Sequence, residues 1–222
     1  MSTARVPWVL GVTGASGTPY AAALLRAFVA AGEDVDLVLS KAARLTVLDE
    51  VGLSIRDNSW REDVARWAGC EVDRVTYWTP TDLAAGPASG SYRTKGMVIA
   101  PATTAVVAGI ALGTSKDLVQ RAGDVTLKER RPLVLLVRES PLRPVVLDHL
   151  AALSREGATI MPASPAFYAG AKDVGELVDF MVGRVLDQCG VEHDLYRRWS
   201  GRLGQARGDG DAGALDSPGP DA

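Results

Sequence analysis

Residues 6–31 read VPWVLGVTGASGTPYAAALLRAFVAA, and this stretch decides the class of fold. The apolar run at 6–12 is typical of a buried strand, and the small residues at 13–17 predict a tight turn. Residues 20–31 are rich in Ala and Leu and predict a helix. Pro19 suits the first turn of that helix, because its missing N–H has no helical partner there. The stretch therefore predicts one strand–loop–helix unit.

The same alternation of strand and helix recurs along the chain. Further strands are predicted at residues 35–39, 97–100, 133–137 and 159–161, and further helices at 41–51, 62–67, 103–112, 144–155 and 174–188. The remainder of residues 53–95 is polar, and we assign little structure to it. We expect one α/β domain over residues 1–200, a doubly wound, mostly parallel sheet flanked by helices, Rossmann-like or flavodoxin-like. The Gly, Ala, Asp and Pro-rich tail at 201–222 is expected to be disordered.

Composition excludes several classes of protein. The formal net charge of −3 provides no overall basic field for nucleic acid or an anionic membrane. The first apolar run is too short for a signal-peptide core or a membrane span. Cys70 and Cys189 are far apart and form no CxxC pair, which predicts neither a disulfide framework nor a thiolate zinc site. We expect a cytoplasmic protein with no nucleic-acid or membrane partner.

Ligands of open α/β sheets bind beyond the carboxyl ends of the strands. Four loops are expected at that edge: residues 14–17, 40–41, 101–104 and 138–141. The first loop would let the backbone approach a ligand, and the following helix N-terminus would offer unpaired N–H groups to a phosphate. The same residues also fit a plain strand-to-helix turn. Thr103 and Thr104 fit hydroxyl donors to a ligand and caps of the next helix equally well.

Among nucleotides, the loops favour FMN. The first loop lacks the GxGxxG fingerprint, and Ser40-Lys41 follows the second strand where an NAD site would place a carboxylate. No Walker A loop is present in the sequence. No triad or metal cluster can be assembled from His149 and His193, the only histidines, and no aspartate-rich pair occurs. We therefore expect FMN and no metal.

Cationic residues in the second half of the chain are candidates for binding a phosphorylated substrate. Arg121 and Lys128 are seven residues apart, so on a helix they share one face. Arg138 ends the predicted strand at 133–137 and precedes Glu139. Cations beside a carboxylate would suit phosphate binding and a proton transfer. Each charge taken alone is more typical of a solvated surface.

Several segments together resemble the UbiX/Pad-type flavin prenyltransferases. They are GVTGASGTPYAAALL at 11–25, LVLSKAARLTVLDE at 37–50, ASGSYRTKGMVIAP at 88–101, LVQRAGDVTLKERRPLVLLVRESP at 118–141, IMPASPAFYAG at 160–170, LVDFMVGRVLD at 177–187 and DLYRRW at 194–199. The resemblance extends over about residues 6–200 in the family's order. A set of this kind is far more specific than a single glycine-rich loop.

The resemblance implies an activity and an assembly. Enzymes of this family transfer a dimethylallyl group from dimethylallyl phosphate to N5 and C6 of reduced FMN without a metal. The prenylated FMN that results is used by a UbiD-type decarboxylase. The resemblance further implies a closed homo-oligomer, a dodecamer, whose sites are completed by neighbouring subunits.

The resemblance also implies roles for individual residues. The FMN site would be lined by Gly14, Ala15, Ser16, Ser40, Thr103, Thr104, Ala105, Val106 and Arg138. The phosphate of the prenyl donor would be held by Arg121, Lys128, Arg138, Tyr168 and Arg184. Ser16 would lie near the flavin N5, Glu50 and Glu139 would handle protons, and Lys128 would act with them in catalysis. Trp199 would close the prenyl pocket, where its ring can stabilise an allyl cation, although its ring also suits ordinary packing.

One loop departs from the family's pattern. The family usually has Pro-Cys-Ser-Met followed by Gly or Lys and Thr, whereas this chain has PATTAV at 101–106 and ends that loop without a hydroxyl at Val106. Two alternatives remain open. The first is an FMN-dependent cysteine decarboxylase of the same superfamily, although its early histidine is absent before His149. The second is a non-catalytic FMN carrier or decarboxylase subunit, which would not need a second phosphate site.

Overall fold

The computed structural model describes residues 5–201, so the expected disorder of the tail falls, apart from Gly201, outside the described part of the chain. The strands are β1 Trp8–Val12, β2 Val35–Leu39, β3 Val75–Trp78, β4 Gly96–Ala102, β5 Leu133–Val137 and β6 Thr159–Pro162. The helices are α1 Thr18–Ala30, α2 Lys41–Val51, α3 Trp60–Ala68, α4 Thr104–Ala111, α5 Leu118–Lys128, α6 Pro144–Arg155 and α7 Val174–Cys189.

The strands form one sheet in the order β3-β2-β1-β4-β5-β6, and every neighbouring pair is parallel. The predicted doubly wound α/β fold is confirmed, and the sheet described is parallel throughout. The chain builds outward from β1 to β3, returns to the centre at β4 and builds outward on the other side. The strand order therefore reverses between β1 and β4, and the loops after these two strands diverge to open a crevice at the carboxyl edge.

The sheet is buried on both faces, which is why strands β1 and β5 are apolar at every position instead of alternating with polar residues. Leu10 and Leu37 belong to the core on one face, where α1, α2, α3 and α7 pack. Val9 and Ile99 belong to the core on the other face, where α4, α5 and α6 pack. The two cores hold the strands in register, and this fixes the positions of the loops at the carboxyl edge.

Strand β3, like helix α5, was not predicted from the sequence. Its sequence is VTYW, and only Val75 is buried while the other three residues are half-buried. It lies at the outer edge of the sheet and pairs with β2 alone. A four-residue edge strand lacks both the long apolar run of a central strand and a clear alternation of burial. Within residues 5–201, the structure contains no helix long and apolar enough to cross a bilayer.

Candidate functional site

Thr13 ties together the two loops that diverge at the crevice. Its hydroxyl donates to the carbonyl of Pro101 at 2.6 Å and accepts from the N–H of Thr103 at 2.9 Å. The side chain is buried, and the loops after β1 and β4 therefore form one connected floor. Sequence reasoning missed Thr13, and the only available signal was a hydroxyl residue placed directly after an apolar strand.

We expect Thr13→Val to lower the free energy of unfolding by about 1–3 kcal/mol, because the buried carbonyl of Pro101 would lose its donor and the part-buried N–H of Thr103 its acceptor. Thr13→Ser retains the hydroxyl and should lose less. Urea unfolding at one fixed subunit concentration measures the difference. A valine variant as stable as the wild type would show that the two loops are held together without this hydroxyl.

The first loop lies directly on the start of α2. A Cβ on Gly14 would come within 2.4 Å of the Cβ of Ala42, so a side chain at this position would push the loop away from the helix. Ala15 is buried, whereas Ser16 is exposed at the top of the loop. The loop thus presents backbone and one hydroxyl to the crevice, as expected for a surface that a planar ligand approaches closely.

Ser40 and Thr103 both cap helices. The Ser40 hydroxyl accepts from the N–H of Ala43 at 3.0 Å, and the Thr103 hydroxyl accepts from the N–H of Val106 at 3.2 Å. A hydroxyl that accepts one hydrogen bond still has its own hydrogen to donate. The capping interpretation of Thr103 is thereby confirmed, and each hydroxyl keeps a donor for a ligand at the same edge.

The rest of the second loop continues into the first turn of α4. Thr104 is half-buried and Ala105 is exposed, so both remain accessible to a ligand at this edge. Val106 is buried in the core beneath the sheet, and its N–H is used by the Thr103 cap. The assignment of Val106 to the flavin site stays a prediction, and it would involve backbone atoms, because the helix turns the side chain toward the core.

The N-terminus of α1 is occupied by Glu50. Its carboxylate accepts from the N–H groups of Gly17 and Thr18 at 2.9 and 2.8 Å and from the Thr18 hydroxyl at 2.6 Å. Burial alone would raise the pKa of Glu50, but hydrogen bonds from Ser16, Thr18 and Gly17 lower it below its usual range. The expectation that this helix offers unpaired N–H groups to a phosphate is therefore corrected.

Because folding lowers the pKa of Glu50, its contribution to stability is complete above the ordinary value of 4.5 and is lost as the pH falls through the lowered pKa. We expect the wild type to lose more stability than Glu50→Gln when both are acidified below that value. Denaturant unfolding at several pH values across this range measures how steeply the free energy of unfolding of each protein falls with pH. Parallel slopes would mean that the carboxylate is no better bound in the folded chain than in the unfolded one.

Arg138 and Glu139 follow β5 at the same edge. The stem of Arg138 passes the first loop, since its Cγ lies 3.9 Å from where a Cβ on Gly17 would be. Its Nε is buried and has no hydrogen-bond partner among residues 5–201. Glu139 is exposed, and within residues 5–201 its carboxylate accepts one hydrogen bond, from the N–H of Ser140 at 3.1 Å.

These donors fit FMN. A buried guanidinium N–H without a partner among residues 5–201, two hydroxyls with free hydrogens and a loop with no room for a side chain at Gly14 match a ring with carbonyl acceptors and one phosphate. The described residues contain no group of three or more His, Cys, Asp and Glu side chains that could hold a metal ion. Both cysteines of the chain are free thiols.

Arg121 and Lys128 share one face of α5, as their spacing predicts. Arg121 donates to the carbonyl of Ala88 at 3.0 Å, and Lys128 pairs with Glu129 beside Gly90. Lys128 lies at the amino edge of the sheet, because it precedes β5 whereas Arg138 follows that strand. The strand is roughly 16 Å long at about 3.3 Å per residue. One chain therefore does not bring Lys128 and Arg138 together.

The other predicted phosphate ligands lie with α7 on the opposite face of the sheet from α5. Tyr168 is in the loop before α7, and its ring packs edge-on against Trp199 at 5.7 Å between centroids. Arg184, on α7, forms an ion pair with Asp187 at 3.0 Å. A single chain thus presents three separate groups: the crevice with Arg138, the α5 cations, and the α7 group.

Comparison with known proteins identifies the family. The family model described as Flavoprotein matches residues 2–186. The chain is 60% identical over 213 residues to "Flavin prenyltransferase UbiX" of Streptomyces coelicolor, a match that covers 91% of this chain and 99% of that protein.

Two solved structures have the same fold. One is "AnUbiX (PadA1) in complex with FMN and dimethylallyl pyrophosphate", with a TM-score of 0.80 and 34% identity over 89% of this chain and 99% of that one. The other is a "dodecameric FMN-dependent Ubix-like Decarboxylase from Escherichia coli O157:H7", with a TM-score of 0.77 and 41% identity over 87% and 99%. The chain belongs to the flavoprotein family and, within it, to the UbiX/Pad-type flavin prenyltransferases.

Proposed function

We propose that this protein is a flavin prenyltransferase that moves the dimethylallyl group of dimethylallyl phosphate onto N5 and C6 of reduced FMN. The observation that carries the proposal is the 60% identity to the flavin prenyltransferase of Streptomyces coelicolor, over nearly the full length of both chains. The crevice between β1 and β4 supports it, because its donors and its close-approach loop suit a flavin.

FMN would bind at the crevice through this chain's own residues. The backbone of Gly14 and Ala15 would lie against the ring, and the hydroxyls of Ser40 and Thr103 would donate to it. The unpartnered Nε of Arg138 would donate to an acceptor atom of the ligand. Reduced FMN, when bound, supplies the nucleophilic N5 and C6 atoms on which the two new carbon bonds form.

Two carboxylates would manage the protons. Glu50 is held ionised by its hydrogen bonds, one of which comes from the Ser16 hydroxyl at the top of the first loop. Ser16 would thus relay a proton between the ligand and Glu50. Glu139 is exposed beside Arg138 and makes few contacts within its own chain, which leaves it able to accept or donate a proton at the ligand edge.

The phosphate of the prenyl donor would be bound at an interface. Arg138 would come from one subunit, while Lys128, at the amino edge, would come from a neighbour together with Arg121 on the same face of α5. Tyr168, Arg184 and Trp199 would complete the site. We propose a closed homo-oligomer, a dodecamer like the Escherichia coli relative, in which such sharing is geometrically possible.

The product, prenylated FMN, would serve a UbiD-type decarboxylase. We place the enzyme in the cytoplasm, since its two cysteines are free thiols and suit a reducing compartment. No nucleic-acid or membrane partner and no metal are proposed.

The direct test is to incubate the full-length oligomer with reduced FMN and either dimethylallyl phosphate or the diphosphate, and to determine the mass and absorption spectrum of the released flavin. We expect an alkylated flavin with at least one donor and none when the donor is omitted. Unmodified FMN with both donors would contradict the proposal and leave the FMN-carrier alternative. Decarboxylation of a peptide ending in cysteine, with no flavin alkylation, would instead favour the cysteine decarboxylase alternative.

A further inference from the structure

The segment at 191–199 folds back along α7, and one carboxylate of that helix bonds three of its side chains. Asp187, in the last turn of α7, is mostly buried, with 16% of its side chain exposed. It accepts hydrogen bonds from side chains on both α7 and the returning segment. The donors are Arg184 at 3.0 Å, Tyr196 at 2.7 Å, Arg198 at 2.8 Å and His193 at 3.1 Å.

The geometry of His193 fixes its part in this contact. The N–H of Leu195 donates to Nδ1 of His193 at 3.3 Å, so in the neutral ring the hydrogen is on Nε2 and points to Asp187. Burial would raise the pKa of Asp187, but the hydrogen bonds from Arg198, Tyr196 and His193 lower it to about 2. Asp187 is therefore fully charged at neutral pH and attracts both arginines.

Gly183 provides the surface on which the returning segment rests. A Cβ at this position would lie 2.5 Å from the ring of Tyr196 and 2.6 Å from the ring of His193. Any larger residue would therefore push the segment off the helix. Gly183 lies one helical turn before Asp187. The space left by the missing side chain of Gly183 and the Asp187 carboxylate therefore both position the rings of Tyr196 and His193.

Aromatic rings in successive contact connect Tyr196, which is bonded to Asp187, to the predicted prenyl pocket. Tyr196 packs on Phe180 at 4.9 Å between centroids, Phe180 on Tyr168 at 5.8 Å, and Tyr168 on Trp199 at 5.7 Å. Tyr168 and Trp199 are both largely exposed, at 41% and 50%, so little else in the described chain fixes their orientation.

We infer that Asp187 is a positioning residue of the prenyl-donor site: it orients Arg184 directly and, by holding the segment at 191–199 on α7, keeps Trp199 against Tyr168. The inference rests on the proposed function, because it assigns Arg184, Tyr168 and Trp199 to the donor. We assign Asp187 no contact with either substrate. It acts at the helix end away from the flavin crevice, so flavin binding should not depend on it.

The test compares Asp187→Ala with the wild-type oligomer in steady-state prenylation. We expect the KM for dimethylallyl phosphate to rise roughly tenfold or more, as for the loss of a hydrogen bond to a charged group, with FMN affinity unchanged. Asp187→Asn keeps an acceptor for Tyr196 but loses the charge, so its KM should lie between those of the wild type and Asp187→Ala. Glu192→Gln removes an exposed carboxylate from the same segment and should leave KM unchanged.

Two further measurements separate positioning from general destabilisation. Hydrogen exchange in the peptide covering 191–199 should accelerate in Asp187→Ala while exchange in the sheet stays unchanged. The effects of Asp187→Ala and Trp199→Ala on KM should be less than additive, since each disturbs the same contact. If the alanine variant does not assemble, Asp187→Asn and Tyr196→Phe carry the same comparison.

An unchanged KM, additive effects, or unchanged exchange at 191–199 would each overturn the inference. A fall in FMN affinity equal to the rise in KM would also overturn it, because it would indicate a disturbed fold. The proposed function fails in a different way, namely if the wild type itself forms no prenylated flavin.

Discussion

Glu139→Gln is expected to slow prenylation of FMN by about 10²–10⁴-fold, the usual loss when a positioned acid or base is removed. Glutamine keeps the size and the hydrogen bonding of the side chain but cannot exchange the proton. Because Glu139 is exposed and accepts, from the part of the chain that the structure describes, one hydrogen bond, from Ser140, the fold should tolerate the change. The variant should therefore purify assembled and with FMN bound.

Single-turnover mixing of the flavin-loaded variant with dimethylallyl phosphate measures this rate independently of product release. Glu71→Gln, an exposed carboxylate far from the carboxyl edge, is the matched control and should react at the wild-type rate. If Glu139→Gln prenylates the flavin as fast as the control does, Glu139 is a surface charge and its assigned role is wrong.

The sequence predicted those parts of the fold that depend on local patterns. Strands β2 and β5 and helices α2 and α6 begin and end at the predicted residues, because a run of apolar residues or a helical period is visible within a dozen positions. The edge strand β3 was missed, since half-buried residues at a sheet edge produce neither pattern.

The site was predicted less completely, for a different reason. Its loops follow from the rule that parallel strands end at one edge, but the contacts that shape them join residues far apart in sequence. Thr13 donates a hydrogen bond to the carbonyl of Pro101, and Glu50 accepts one from the N–H of Thr18. No spacing in the sequence indicates such pairs. The same limit applies to Asp187, whose (i, i+3) pair with Arg184 is visible in the sequence while its contacts to the returning segment are not.

Helical spacing likewise predicted that Arg121 and Lys128 share a face but not which edge of the sheet they approach. Lys128 lies at the amino edge, a full strand length from Arg138 and Glu139. A role for Lys128 at a phosphate beside Arg138 therefore requires a second subunit. This requirement makes the shared site testable without a structure of the assembly.

Lys128→Ala alone should weaken recognition of dimethylallyl phosphate and leave FMN bound, because the lysine is far from its own chain's crevice. Lys95, which also lies at the amino edge and pairs with Glu33, provides the matched control, and Lys95→Ala should keep the wild-type KM. A second experiment gives the larger expected change in prenylation rate. Lys128→Ala and Glu139→Gln subunits are co-expressed in equal amounts and purified together as mixed oligomers.

In such an oligomer, half of the crevices carry an intact Glu139, and half of the neighbouring subunits carry an intact Lys128. If one site draws these residues from two subunits, about a quarter of the sites are fully intact, and the prenylation rate should recover to about a quarter of the wild-type rate. Separately purified parents mixed without exchange should stay as slow as each alone. If one subunit supplied both residues, every site would carry one substitution, and the co-expressed oligomer would be no faster than the mixture of its separately purified parents.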